Sequence, residues 1–142
     1  MSTQIKITKN IINYLSNLGY RPDPIIDKLV TETKNIGSIS KMQIAPEQGQ
    51  FLELLAKLIS AKNCLEIGRF TGLSSLCLAK AIPKNGKIIS VDSSIEYLPI
   101  AKKYWLKARV ENKIQIITDQ GINVLNASKL IITEGVLKNM KN

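Results

Sequence analysis

Asn63-Cys-Leu-Glu-Ile-Gly68 leads through Arg69-Phe-Thr-Gly72 into a helical run, and Gly86-Lys-Ile-Ile-Ser-Val-Asp92 follows it. These two short apolar segments decide the fold. Each has strand length, and between them Leu76, Leu78, Ala79, Ala81 and Ile82 form a helix that Pro83 stops. A helix over 95–108 and a third strand, Lys113-Ile-Gln-Ile-Ile-Thr118, repeat the alternation. Strands alternating with helices of this length predict an α/β, Rossmann-like, doubly wound and mainly parallel sheet with right-handed crossovers. Beyond Thr118 the pattern weakens. Residues 122–125 read as one or two helical turns, and Leu130-Ile-Ile-Thr133 as a fourth strand or a helix end.

Upstream of this unit the period is helical. Ile11, Ile12, Tyr14, Leu15 and Leu18 form a stripe that Gly19 ends. Asp23 before Pro24 is an N-cap signature, opening a second helix through about Thr33 with Ile25, Ile26, Leu29 and Val30 on one face. After a linker over 35–44, Pro46 opens a third, amphipathic helix whose buried face is expected to be Phe51, Leu54, Leu55, Leu58 and Ile59. The chain is thus read as one domain, 1–142. Its parts are a helical segment over 1–40, a ligand-binding α/β core over 41–128 and a tail over 129–142.

Composition narrows the chemistry. With 142 residues, 44% of them hydrophobic, a core can form without metal or disulfide staples. There is no histidine, which removes imidazole bases and histidine-ligated zinc. Cys64 and Cys77 have neither CxxC spacing nor other soft ligands nearby and read as buried, reduced thiols. The net charge of +9 comes mostly from scattered lysines, with arginine only at 21, 69 and 109, so a solvated surface is favoured over a nucleic-acid platform. No segment has signal-peptide or membrane-helix character, and a cytoplasmic protein is expected.

In open parallel sheets ligands bind beyond the carboxyl ends of the strands. The first strand ends in Glu66-Ile-Gly68, and Gly68 and Gly72 let the backbone approach a ligand closely. A dinucleotide fingerprint would need a third glycine, where Phe70 stands. Glu66 would repel a pyrophosphate and suits a positively charged group. Asp92-Ser93 closes the second strand, where an acid can accept from both ribose hydroxyls. Together they describe a site for a nucleoside with a cationic tail.

Met42-Gln-Ile-Ala-Pro-Glu-Gln-Gly-Gln-Phe-Leu52, Leu65-Glu-Ile-Gly-Arg-Phe-Thr-Gly-Leu-Ser74 and Gly86-Lys-Ile-Ile-Ser-Val-Asp92 carry a specific likeness. Over about residues 25–125 the chain resembles the cation-dependent class I O-methyltransferases related to the caffeoyl-coenzyme-A and catechol O-methyltransferases. The resemblance implies S-adenosylmethionine as cofactor and a small catechol-type or phenolic hydroxyl as methyl acceptor. It implies that Met42 and Ile44 line the cofactor site and that Glu66, Gly68, Arg69 and Ser74 hold the methionine portion. Asp92, with Ser93, takes the ribose, and Asp119 to Gly121 flank the adenine. Leu73 stands where the family has an aromatic residue, and Gly121 where it has alanine.

The family's metal-binding aspartate, its neighbouring lysine and its later Asp-Asn ligands have no match after Leu125, where Glu134 is the one carboxylate. The sequence is therefore expected to lack the C-terminal part of the methyltransferase domain, and no catalytic or metal-ligating residue is assigned. Three readings follow: an active methyltransferase, a cofactor-binding remnant without catalysis, or an interaction module. Self-association is expected in each, because the strand at Cys64 to Ile67 would otherwise leave an edge uncovered.

Overall fold

The computed structural model describes residues 6–127. Three helices come first: α1 (Lys9–Leu18), α2 (Pro24–Lys34) and α3 (Pro46–Leu58). The α/β unit follows as β1 (Asn63–Ile67), α4 (Leu73–Ala81), β2 (Lys87–Asp92), α5 (Leu98–Lys107) and β3 (Ile114–Thr118). Short 3-10 turns cover Ser38–Met42 and Glu111–Lys113, and residues 121–127 are helical. The readings at 130–133, at Glu134 and in the tail lie outside the described residues.

The predicted helix starts have the expected causes. Asp23 accepts from the Ile25 and Ile26 N–H groups at 2.9 and 3.2 Å, and Pro24 needs no donor at the first helical position. Thr8 caps α1 the same way, accepting from the Ile11 N–H. The helix expected over 95–108 begins later, at Leu98, after an Asp92-Ser-Ser-Ile-Glu-Tyr97 turn in which Ser94 accepts from the Glu96 N–H.

The three strands are parallel in the order β1-β2-β3, with Glu66 opposite Ser90 and Asp92 opposite Thr118. Sequential order with helical crossovers is the Rossmann-like arrangement. The helices α2, α4 and α5 share one core with one face of the sheet. Ile26, Leu29, Leu76 and Ile88 are completely buried there, beside Trp105. Burial of each such aliphatic side chain stabilises the fold by roughly 1.5–3 kcal/mol. On the opposite face Leu65 and Ile67 remain half exposed, and Gly121, opening the last helical segment, sits against Ile67.

One expectation fails. Phe51, Leu54, Leu55, Leu58 and Ile59 are all exposed, and α3 buries Gly49 and Ala56 instead. The cause is the closeness of α3 to α4. A Cβ on Gly49 would stand 2.8 Å from the Cys77 sulfur, so this helix face must carry small residues, and the large apolar stripe turns outward. Both cysteines are free; Cys77 is buried as expected, whereas Cys64 is only half-buried. Burial pushes the Cys77 thiol up to about 12, which makes it inert as a nucleophile.

Candidate functional site at the strand ends

Parallel pairing brings the carboxyl ends of all three strands to one rim. The ladder continues past the strands: Gly68 N–H donates to the Val91 carbonyl at 2.9 Å and Asp119 N–H to the Asp92 carbonyl at 3.1 Å. Glu66, Asp92 and Asp119 therefore follow one another along a single edge of the sheet.

The turn after β1 is built on left-handed residues. Gly68 has φ +92°, Phe70 +48° and Gly72 +81°. Gly72 is needed twice over: a Cβ there would lie 2.7–2.9 Å from Ala101 and the Trp105 ring, and the Trp105 indole N–H donates to the Gly72 carbonyl at 3.0 Å. At Gly68 a Cβ would meet nothing within 4 Å, so the glycine serves conformation and leaves the backbone open to an approaching group. Phe70 pays its strain against Tyr97, with an edge-to-face contact at 4.8 Å between ring centres.

Asp92 organises this turn. Its Oδ2 accepts from the Arg69 and Phe70 N–H groups, both at 2.9 Å, and its Oδ1 from the Ser94 N–H at 2.9 Å. Burial alone would raise this carboxyl, but the Phe70, Ser94 and Arg69 donors outweigh it and hold it below the usual carboxylate range. A carboxylate offers about four acceptor sites. Three are used here, so one remains open to a further donor.

Glu66 is 8% exposed and accepts three hydroxyl hydrogen bonds, from Ser74 at 2.5 Å, from Ser75, and from Ser90 at 2.6 Å. Arg69 is 2% exposed, and its guanidinium points inward, donating to the Ser90 and Ser94 carbonyls at 3.1 Å. Its Nε meets no acceptor. Desolvation lowers the Arg69 pKa, and the Asp92 and Glu66 charges oppose that. Its main chain, not its side chain, is the part that faces the rim.

The remaining predicted residues are more open. Met42 and Ser93 are exposed, Ile44 is half-buried and Asp119 is exposed, its Oδ1 accepting from the Asn123 amide at 2.8 Å. Sequence reasoning missed Ser75 and Ser90, and it missed a buried knot beneath the turn. There Gln43 donates to Thr33 and to Thr71, each at 2.9 Å, and the two threonine hydroxyls lie 3.0 Å apart. Ser90, a lone hydroxyl inside the apolar run of β2, was the available signal.

Among the described residues no three His, Cys, Asp or Glu side chains converge. No described helix is long and apolar enough to cross a membrane. A cleft of about 520 Å³ lies between α3 and the α1–α2 turn, bordered by Arg21 and the Asp23–Lys80 ion pair, away from the strand ends.

The comparisons with known proteins agree with this layout. The chain is 33% identical over 121 residues to a catechol O-methyltransferase of Niastella koreensis, covering 84% of this chain and 54% of that one. It is 39% identical over 94 residues to a caffeoyl-CoA O-methyltransferase of Populus kitakamiensis, covering 66% and 40%. It thus spans about half the length, or less, of these relatives. Among solved structures, the O-methyltransferase TomG from Streptomyces achromogenes, in complex with SAM, superposes with a TM-score of 0.73 at 25% identity over 83% of this chain and 52% of its own. The Bacillus cereus O-methyltransferase, in complex with SAH, shares the fold with a TM-score of 0.72 at 23% identity, over 84% and 54%. A family model described as O-methyltransferase matches residues 17–135, most of the chain, and the chain belongs to that family.

Proposed function

We propose that the rim at the ends of β1, β2 and β3 binds S-adenosylmethionine and serves methyl transfer to a hydroxyl of a small catechol-type or phenolic acceptor. The carrying observation is the pairing of Glu66 and Asp92 on one sheet edge, each with one acceptor site unused. A carboxylate beside an open glycine backbone suits an ammonium, and a second carboxylate on the next strand suits a ribose hydroxyl.

In this reading Met42, Ile44, Glu66, Gly68, Arg69 and Ser74 surround the methionine portion, Arg69 through its main chain. Asp92 and Ser93 face the ribose, and Asp119 and Gly121 flank the adenine. The bound cofactor supplies an activated methyl group on sulfur. What these residues contribute is fixed position, and alignment of the reacting atoms supplies a large part of such a barrier reduction. Residues 1–142 are read as one domain, with 41–128 holding the cofactor. Self-association belongs to the same proposal and is supported by the half-exposed Leu65 and Ile67 on β1.

Calorimetric titration with S-adenosylmethionine and S-adenosylhomocysteine tests the binding. Glu66→Ala and Asp92→Ala are expected to abolish it in a chain that stays folded, and no binding by the folded wild type would sink the proposal. Methyl transfer to catechol tests the activity, and sedimentation at micromolar concentration tests the oligomer, a clean monomer counting against it.

A further inference from the structure

The two oxygens of Glu66 are not equivalent. Oε2 accepts from both Ser75 and Ser90, while Oε1 accepts from Ser74. Ser75 and Ser90 are 0% exposed, their hydroxyl oxygens 3.3 Å apart, whereas Ser74 is half-buried. Both acceptor sites of Oε2 are therefore filled from inside the protein, and Oε1 keeps one open on the side where Ser74 lies.

Ser90 sits on the covered face of β2 between Ile88 and Asp92, directly opposite Glu66 in the parallel register. A hydroxyl in such a position is costly unless it finds a partner, and here the partner is the carboxylate. Ser75 reaches the same oxygen from the first turn of α4. Strand and helix thus grip one carboxylate oxygen from two directions, which fixes where the other points.

We infer that Ser75 and Ser90 are positioning residues that aim Glu66 Oε1 at the ammonium of the cofactor's amino-acid end. The inference rests on the cofactor reading above. The serines touch no ligand themselves; they spare Glu66 the ordering cost on binding and set which of its oxygens is presented.

The test compares two ligands on the full chain. S-adenosylhomocysteine carries the amino-acid end, and methylthioadenosine has the same adenosine and thioether without it. Removing the pair, Ser75→Ala with Ser90→Ala, is expected to weaken S-adenosylhomocysteine about tenfold and to leave methylthioadenosine unchanged. Ser90→Ala alone, expected to give a smaller loss of the same pattern, is the fallback where the double variant does not give a cooperative melt. Equal losses for both ligands, or no loss for either, overturn the inference. A folded wild type that holds neither ligand overturns the cofactor reading instead. If the wild type holds only S-adenosylhomocysteine, the decisive comparison is in the Glu66→Gln background, where the serine substitutions must cause no further loss.

Discussion

The helices α3 and α4 pack against each other, yet they hide opposite kinds of side chain. The inward positions of α4 are Leu73, Ser75, Leu76, Cys77 and Ala79, mostly apolar, and the helix has almost no polar face. On α3 the inward positions are Gly49 and Ala56, while Phe51, Leu54 and Leu58 face outward. Amphipathic patterning reads the face of α3 backwards, while for α4 the sequence assigns a helix without a face. A helix lying in the middle of a layer buries whatever it carries, but one that closes tightly on a neighbour buries its smallest residues. Apolar periodicity reports that a helix has a face, and the separation between backbones decides which face is covered.

The comparison can be broken first at the α4 entry. Gly72→Val forces a branched side chain to φ +81° and into Ala101 and Trp105; a loss above about 3 kcal/mol, or no folded protein, is expected in urea unfolding. Next comes the contact between the helices. Gly49→Ala should cost about 1–3 kcal/mol, because its Cβ meets the Cys77 sulfur, and Cys77→Ala in the same chain should recover most of it. Additive losses in that cycle would mean that the two helices do not close at this point.

A smaller effect depends on pH. Asp92 is held below its ordinary range in the folded chain, so its contribution is present above an unfolded value of about 3.9 and is lost as pH falls through the folded value. The Asp23 carboxyl is likewise lowered: burial would raise it, but the Lys80 ammonium and the Ile26 and Ile25 N–H groups prevail. Thermal melts should therefore weaken below about pH 4, and Asp92→Asn should flatten that decline. An unchanged acid profile in the variant would detach Asp92 from the turn it is seen to hold. The smallest effect sharpens the comparison most: Leu58→Ser should change stability by no more than about 0.5 kcal/mol. A loss of several kcal/mol would restore the amphipathic reading of α3.

Much of the fold was legible because its signals are local. Asp23 before Pro24, the glycines of the β1–α4 turn and Pro83 after α4 each act on backbone within a few residues of themselves, and the strands appear where periodicity places them. The site was half legible. Glu66 and Asp92 could be found because strand ends in parallel sheets converge, but their hydrogen-bond partners could not. Ser75 and Ser90 read as unremarkable small residues until the register sets one of them across from Glu66. The Thr33, Gln43 and Thr71 knot joins residues as far as 38 positions apart, a distance at which no spacing rule operates. Asp92 illustrates the limit from the other side: it stands at the end of β2 as the sequence reads it, yet most of its acceptor capacity goes to the protein's own amides.

Trp105 is the chain's sole tryptophan, 1% exposed, with its indole N–H bound to the carbonyl of Gly72 where the β1 turn passes into α4. The protein thus carries a built-in optical reporter at the floor of its strand-end turn. Its emission, free of any second indole, tracks that turn without a label, so ligand binding, loop opening and unfolding can be followed as separate changes in one fluorescence signal.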